Sequence, residues 1–167
     1  TDAQSETNPI ANTSVAPIMN TNYFMVSTSA ENCKSAIETI KITVNSNPII
    51  TTLDASICGG DSIDLQSLVA PTGASNLVFY NSLLDAQSEI NPIANTTITP
   101  TSTSDYFVVG TSTDNCKSNI ETLKITVNSN PIITTLDASI CGGDSIDLQS
   151  LVAPAGTSNL VFYNSLS

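Results

Sequence analysis

The sequence predicts an all-β protein built as a tandem array of β-sandwich units, and three observations carry that prediction. Residues 2–84 return as residues 85–167 with few changes: Cys33 recurs as Cys116 and Cys58 as Cys141, each 83 positions on. Within each copy, short stretches alternate apolar and polar residues, and turn residues separate them about every ten positions. The polar residues are mainly Ser, Thr and Asn, charged residues being only 11% of the chain, and the apolar ones are led by Ile, Leu and Val. That balance favours short strands over helices.

Each element of one period has its own justification. PIITT from Pro48 is β-branched and predicts a strand. SIDLQSLV follows the Gly59–Gly60 turn and places Ile63, Leu65, Ser67 and Val69 on one face, so it is expected as a single strand with Asp64 turned to solvent. NLVFYN around Phe79 and TTITPT from Thr96 predict two more. DYFVVGTS and IETLKITV are joined by an Asn-Cys-Lys-Ser turn and are expected to form an antiparallel hairpin. In the second of these, Leu123, Ile125 and Val127 alternate with Thr122, Lys124 and Thr126, and Ile40, Ile42 and Val44 repeat the pattern in the first copy. No stretch carries a helical period. About six or seven short strands per period read as a β-sandwich.

The proline closing VNSNP disfavours helix before it and follows the clearest strand, so the unit boundary is placed there. Residues 1–46 are then the C-terminal part of a preceding repeat, 47–129 a complete repeat, and 130–167 the N-terminal part of the following one. Thr1 and Ser167 both fall at the position held by Leu84, in mid-unit, so the sequence is expected to be a stretch of a longer array. The two partial repeats together hold the parts of one more sandwich, which makes neighbouring repeats or copies of the chain, associated head to tail, the expected partners.

Fifteen acidic groups oppose four lysines (Lys34, Lys41, Lys117 and Lys124) with no arginine, for a formal charge of −11. Nucleic acid is excluded as a partner because phosphate binding needs clustered cations, and anionic membrane surfaces are disfavoured for the same reason. The chain has no histidine, which removes the commonest general base and metal ligand. No apolar run is long enough to span a bilayer, and no signal peptide is visible.

The order of motifs carries a resemblance: a cysteine with glycines and an alternating stretch (CGGDSIDL), the aromatic pair Phe79 and Tyr80, the Tyr106–Val108 strand, the Asn-Cys-Lys-Ser turn and a closing ITVN. It resembles the Ig-like repeats of Bacteroidota cell-surface adhesins, the kind strung along gliding-motility adhesins and large type IX-secreted surface proteins. The chain departs from such repeats at Phe79, where they often carry tryptophan. The resemblance implies an Ig-like sandwich, an extracellular, cell-surface location, and a place in a shaft or filament serving adhesion or gliding motility.

In such a setting cysteines are expected to be oxidised. Four cysteines allow three pairings. Cys58 with Cys116 lies within the complete repeat and leaves Cys33 and Cys141 for partners outside the chain; the loop it closes would contribute roughly 4 kcal/mol on the chain-entropy argument. Cys33 with Cys58 and Cys116 with Cys141 is the competing set, and free buried thiols are the third reading. In an Ig sandwich the two loops that carry Cys58 and Cys116 normally lie at opposite ends.

Asp54, Asp61 and Asp64 cluster near the glycine turn, as do Asp137, Asp144 and Asp147, but their spacing fits no calcium loop. No metal and no cofactor are expected. Asp61-Ser62-Ile63 and Asp144-Ser145-Ile146 fit the short pattern the resemblance implies for O-glycosylation, making Ser62 and Ser145 candidate sites. Asn12-Thr13-Ser14 and Asn95-Thr96-Thr97 fit the N-linked sequon, relevant only to a eukaryotic source. No catalytic constellation stands out, and a structural repeat rather than an enzyme is the expectation. The alternatives are a glycan- or surface-binding Ig-like module, using the drifting segments 13–22 and 96–105, and a spacer in a secreted enzyme.

Overall fold

The computed structural model describes residues 2–5 and 7–164. Strand makes up 36% of the chain and helix 11%, so the protein is β-rich. The chain forms two compact units, Thr1–Asn47 and Pro48–Ser167.

The first unit holds a short helix, α1 (Asp2–Ser5), and an antiparallel pair, β1 (Thr21–Met25) and β2 (Glu38–Ile42), with Tyr23 opposite Ile40. The turn between the strands is knotted by serine side chains. Ser29 N–H donates to the Cys33 carbonyl at 2.8 Å, and Ser29 Oγ accepts from Cys33 N–H at 3.2 Å. Asn32 sits in the left-handed region at φ 62°, which Asn tolerates better than most residues. The second unit repeats the turn: Ser112 bonds Cys116 in the same two ways, and Asn115 also has φ 62°.

The second unit opens with β3 (Ile49–Thr52), β4 (Ala55–Cys58) and β5 (Ile63–Asp64). It continues through β6 (Val69–Thr72), β7 (Asn76–Tyr80), α2 (Leu83–Ser88), β8 (Thr97–Ile98), β9 (Ser104–Thr111) and β10 (Glu121–Asn128). A four-stranded sheet runs β4-β10-β9-β7, with β3-β6 and β5-β8 as separate two-stranded ladders. β9 and β10 form the expected antiparallel hairpin, Leu123 opposite Tyr106. β10 pairs with β4 in parallel, Ile125 opposite Ala55 and Asn128 opposite Cys58. After Asn128 come β11 (Ile132–Thr135) and β12 (Val152–Ala155), an antiparallel pair.

One face of the four-stranded sheet supplies Phe79, Tyr106, Val108, Leu123 and Ile125 to the core, where they meet Ile50 of β3 and Leu65. Leu123 and Ile125 are fully buried, as their alternation predicts, and burial of such side chains contributes about 1.5–3 kcal/mol each. The odd-even partners on the opposite face, Val78, Tyr80, Phe107 and Val109, pack with Ala86 of α2.

Two sequence expectations are corrected. SIDLQSLV is not one strand: β5 ends at Asp64, and residues Leu65–Leu68 make a 3-10 turn before β6 begins. The cause is Asp64, whose carboxylate accepts from Gln66 N–H at 3.0 Å while its carbonyl accepts from Ser67 Oγ at 2.6 Å. Such local bonds compete with a strand ladder. Asp64 is accordingly half-buried rather than turned out. Leu65, expected on the apolar face, opens this turn and is fully buried.

The second correction is α2. Ser82 Oγ accepts from Asp85 N–H at 3.1 Å and donates to the Asp85 carboxylate, satisfying an otherwise orphaned helix donor. Glu89 ends the helix in the left-handed region at φ 54°. The Ser82 hydroxyl and the Asn91 amide hold the Asp85 carboxyl below its ordinary pKa, so this support is lost on acidification through the depressed folded value.

Gly110, inside β9, marks a close approach. A Cβ there would lie 2.5 Å from Ile50 Cδ1 and 3.0 Å from Ala74 Cβ, distances that force side chains or backbone to move. Gly110→Ala is expected to cost about 1–3 kcal/mol by overpacking. Ile50→Val, which removes Cδ1, should recover part of that loss in the double variant; urea unfolding of the four species of the cycle measures it.

Candidate functional site

The glycine turn is built from the backbone outward. Asp61 N–H donates to the Cys58 carbonyl at 3.1 Å, and Gly60 adopts φ 94°, a conformation open to glycine at little cost. Gly59 N–H donates to the Asn128 carbonyl at 2.9 Å and Asn130 Nδ2 to the Gly59 carbonyl at 2.7 Å, which ties the turn to the end of β10.

The three aspartates near this turn serve three different backbone donors. Asp54 Oδ1 accepts from Lys124 N–H at 2.8 Å, Asp61 Oδ2 from Cys58 N–H at 3.3 Å, and Asp64 Oδ1 from Gln66 N–H. Asp147 repeats the last bond, with Gln149 N–H at 2.9 Å. Among the described residues no three acidic or cysteine side chains converge as a metal site would require. Asp61 and Asp64 act locally as turn acceptors, whereas Asp54 reaches across to a distant strand.

The structure does not bring Cys58 and Cys116 together. Cys58 stands opposite Asn128 at the last position of β10, whereas Cys116 lies in the turn that precedes Glu121, the first. The length of β10 separates them, roughly 25 Å at strand rise, far beyond the reach of a disulfide. Among the described residues no disulfide forms: Cys33, Cys58 and Cys141 are exposed thiols and Cys116 is half-buried. The physical reason is the parallel pairing of β4 with β10, which carries Cys58 to the far end of the strand.

Ser62 and Ser145 are both exposed, directly after the Gly-Gly-Asp turns. Asn12 and Asn95 are also exposed, and each closes a local turn by accepting from the backbone two residues on, Ser14 at 2.9 Å and Thr97 at 3.1 Å. The drifting segment of the second copy contains β8, which pairs Ile98 with Ile63.

Two tyrosines have displaced phenol pKa values. Burial pushes Tyr106 up. Burial pushes Tyr80 up too, helped by Glu89 and opposed by Lys117, which form an ion pair with each other. Both phenols therefore keep their protons to higher pH than an ordinary tyrosine.

The first unit carries a groove of about 820 Å³ lined by Ile10, Val15, Tyr23, Met25, Ile40 and Ile42 among others. Its wall is mostly apolar, and sequence reasoning did not anticipate it. The signal available was the alternation of Ile40 and Ile42, which demands a covering layer.

Among the described residues no helix is long and apolar enough to cross a membrane. No protein-family profile matches the chain, and no curated protein sequence is significantly similar to it.

Thiol labelling of the folded chain is expected to modify Cys33, Cys58 and Cys141 quickly and Cys116 more slowly, and non-reducing peptide mapping should find no Cys58–Cys116 peptide. Alkaline stability follows from the tyrosines. The folded state holds their protons more tightly than the unfolded state, so the contribution is full below roughly pH 10 and lost as pH climbs through the folded values. Replacing Tyr80 and Tyr106 by Phe should therefore flatten the fall in stability above that pH, as urea midpoints across the range would report.

Proposed function

We propose that this chain is a structural, non-catalytic segment of an extracellular adhesin shaft or cell-surface filament, made of tandem Ig-like β-sandwiches with an 83-residue period. Gliding motility or surface attachment is the setting that the motif resemblance suggests. The observation that carries the reading is recurrence. The serine-knotted turn, the glycine turn and the aspartate-capped 3-10 turn each appear twice with the same bonds or dihedrals, at a spacing of 83 residues. Copying a unit with its turns intact extends a stack, whose stability is then a sum over units and interfaces.

Composition supports the same reading. An acidic exterior rich in Thr and Ser keeps neighbouring shafts apart and hydrated. Asp54, Asp61, Asp64 and Asp147 are engaged at turns and strand ends and Tyr80 and Tyr106 in packing, and Ser62 and Ser145, on exposed turns, are the positions where glycans would be carried on such a shaft.

Immunogold electron microscopy of intact source cells, with antibody raised against this chain, tests the proposal. Label on beaded surface filaments, with an axial repeat near one sandwich length of roughly 30–40 Å, is the expected result. Label confined to the cell interior, or on compact particles, would overturn it.

A further inference from the structure

The two apolar faces of the four-stranded sheet are closed in different ways. The inner one is sealed by Ile50 of β3 and Leu65 of the 3-10 turn. The outer one, made of Val78, Tyr80, Phe107, Val109 and Ile120, lies under the loop of residues 81–92, whose helix α2 supplies Ala86. That loop is closed at its base. Ile93 N–H donates to the Phe79 carbonyl at 2.8 Å, and Phe79 and Ile93 both pack in the inner core. Residues 81–92 therefore begin and end at neighbouring, anchored points, the arrangement of an Ω-loop, and the loop can leave the sheet without moving the strand that carries it.

Little apolar burial holds the loop down. Ala86 is buried, whereas Leu83, Leu84 and Ile90 are 46%, 69% and 51% exposed. Polar links do the holding instead. The Asp85 carboxylate accepts from Ser82 Oγ at 2.7 Å and from Asn91 Nδ2 at 3.0 Å, joining the two ends of the loop to α2. The Glu89 carboxylate pairs with Lys117 of the serine-knotted turn, which ties the loop to the hairpin of β9 and β10. Two residues that these links fix, Glu89 at φ 54° and Asn91 at φ 51°, are in the left-handed region, which persists at a non-glycine residue when the surroundings impose it. Without the links the backbone favours another course.

We propose that residues 81–92 are an acid-released strap, which lifts from the sheet as one unit while the inner core stays folded and so uncovers the apolar face formed by Tyr80, Phe107 and Val109. Both links depend on carboxylate charge. Its bonds to Ser82 and then Asn91 hold the Asp85 carboxyl below the ordinary range, so it supports closure above that range and the support is lost as pH falls through the folded value. Protonation of Glu89 removes the negative half of its pair with Lys117. The other titratable groups on the elements packed against the loop are Tyr80 on β7, Asp105 and Tyr106 on β9, and Asp114 and Cys116 beside Lys117 in the turn. Tyr106 belongs to the inner core, and Asp105 stands opposite Lys124. A unit that opens below the free energy of global unfolding is a local equilibrium of its own. The inference rests on the packing of α2 and not on the shaft reading, and either can fail alone.

Hydrogen exchange of the full 167-residue chain, read peptide by peptide between about pH 7 and about pH 3 and corrected for the intrinsic pH dependence of amide exchange, decides the matter. Amides of α2 should lose about tenfold or more in protection on acidification while those of β9 and β10 keep theirs. Asp85→Asn combined with Glu89→Gln keeps the shape and the hydrogen-bonding groups but does not titrate, and should flatten the response of α2. Asp85→Ala combined with Lys117→Gln cuts both links, and should show at neutral pH the weak α2 protection that the parent reaches in acid, again with β9 and β10 unchanged. Protection lost from α2, β9 and β10 together overturns the proposal, in the parent or in either variant. So does α2 protection that ignores pH in the parent, or an Asp85→Asn/Glu89→Gln chain that responds to acid as the parent does.

Discussion

Leu123 and Ile125 on β10 are the side chains that most need covering, and the chain that follows β10 does not cover them. Ile50 and Leu65, which cover them, and Phe79, which lies beside them on the same sheet face, come from residues 48–84, so the core closes only between parts of the chain distant in sequence. The requirement fixes the role of nearly every other element. β9 holds β10 in place through the serine-knotted turn, β7 and β4 flank the pair, and the 3-10 turn at Leu65–Leu68 drops one leucine into the centre. In the first unit Met25 and Ile40, at the positions that correspond to Val108 and Leu123, are exposed.

The aspartates illustrate how a strongly acidic chain uses its charges. Asp54 stands at the place where the chain leaves the β3-β6 ladder to join the four-stranded sheet, and its carboxylate takes the Lys124 N–H just before backbone pairing begins at Ile125. Asp61 and Asp64 perform comparable service at the glycine turn and the 3-10 turn. A carboxylate accepting a backbone N–H is a stronger bond than its neutral equivalent, so these residues define the chain's changes of direction.

Much of this architecture was legible in the sequence because alternation is strong where strands are long. The β9-β10 hairpin, β3 and β7 follow from Ile and Val spacing, and the Asn-Cys-Lys-Ser turn announced itself through Asn115 and Ser118. Short elements were harder. SIDLQSLV has perfect strand alternation, but a capping Asp64 overrides it, a contest that pattern reading does not weigh. α2 is six residues long, too short to show a period, although Ser82 and Asp85 carry the spacing of an N-cap. β4 was hidden for a different reason: ASIC forms a strand beside β10 and none at 138–141, so its structure is set by a neighbour distant in sequence. The same parallel pairing, unreadable from composition, separates Cys58 from Cys116. The groove in the first unit was not anticipated from the sequence, although the alternation of Ile40 and Ile42 asks for a covering layer.

The parallel pairing of β4 with β10 also governs how a unit would meet tension. The chain enters by way of β3 and β4 and leaves from the end of β10, so the entering and leaving strands run side by side in the same direction. A pull on the two ends slides one strand along the other and loads the rungs from Ala55–Ile125 to Cys58–Asn128 together, in shear, instead of opening them one after another as a zipper. Gly59 N–H on the Asn128 carbonyl, Asn130 Nδ2 on the Gly59 carbonyl and Asn128 Nδ2 on Ser56 Oγ extend that clamp beyond the strand itself. Bonds that must break together resist far more than bonds that break in turn, and Gly59, Asn128 and Asn130 add their own bonds to those of the paired strands.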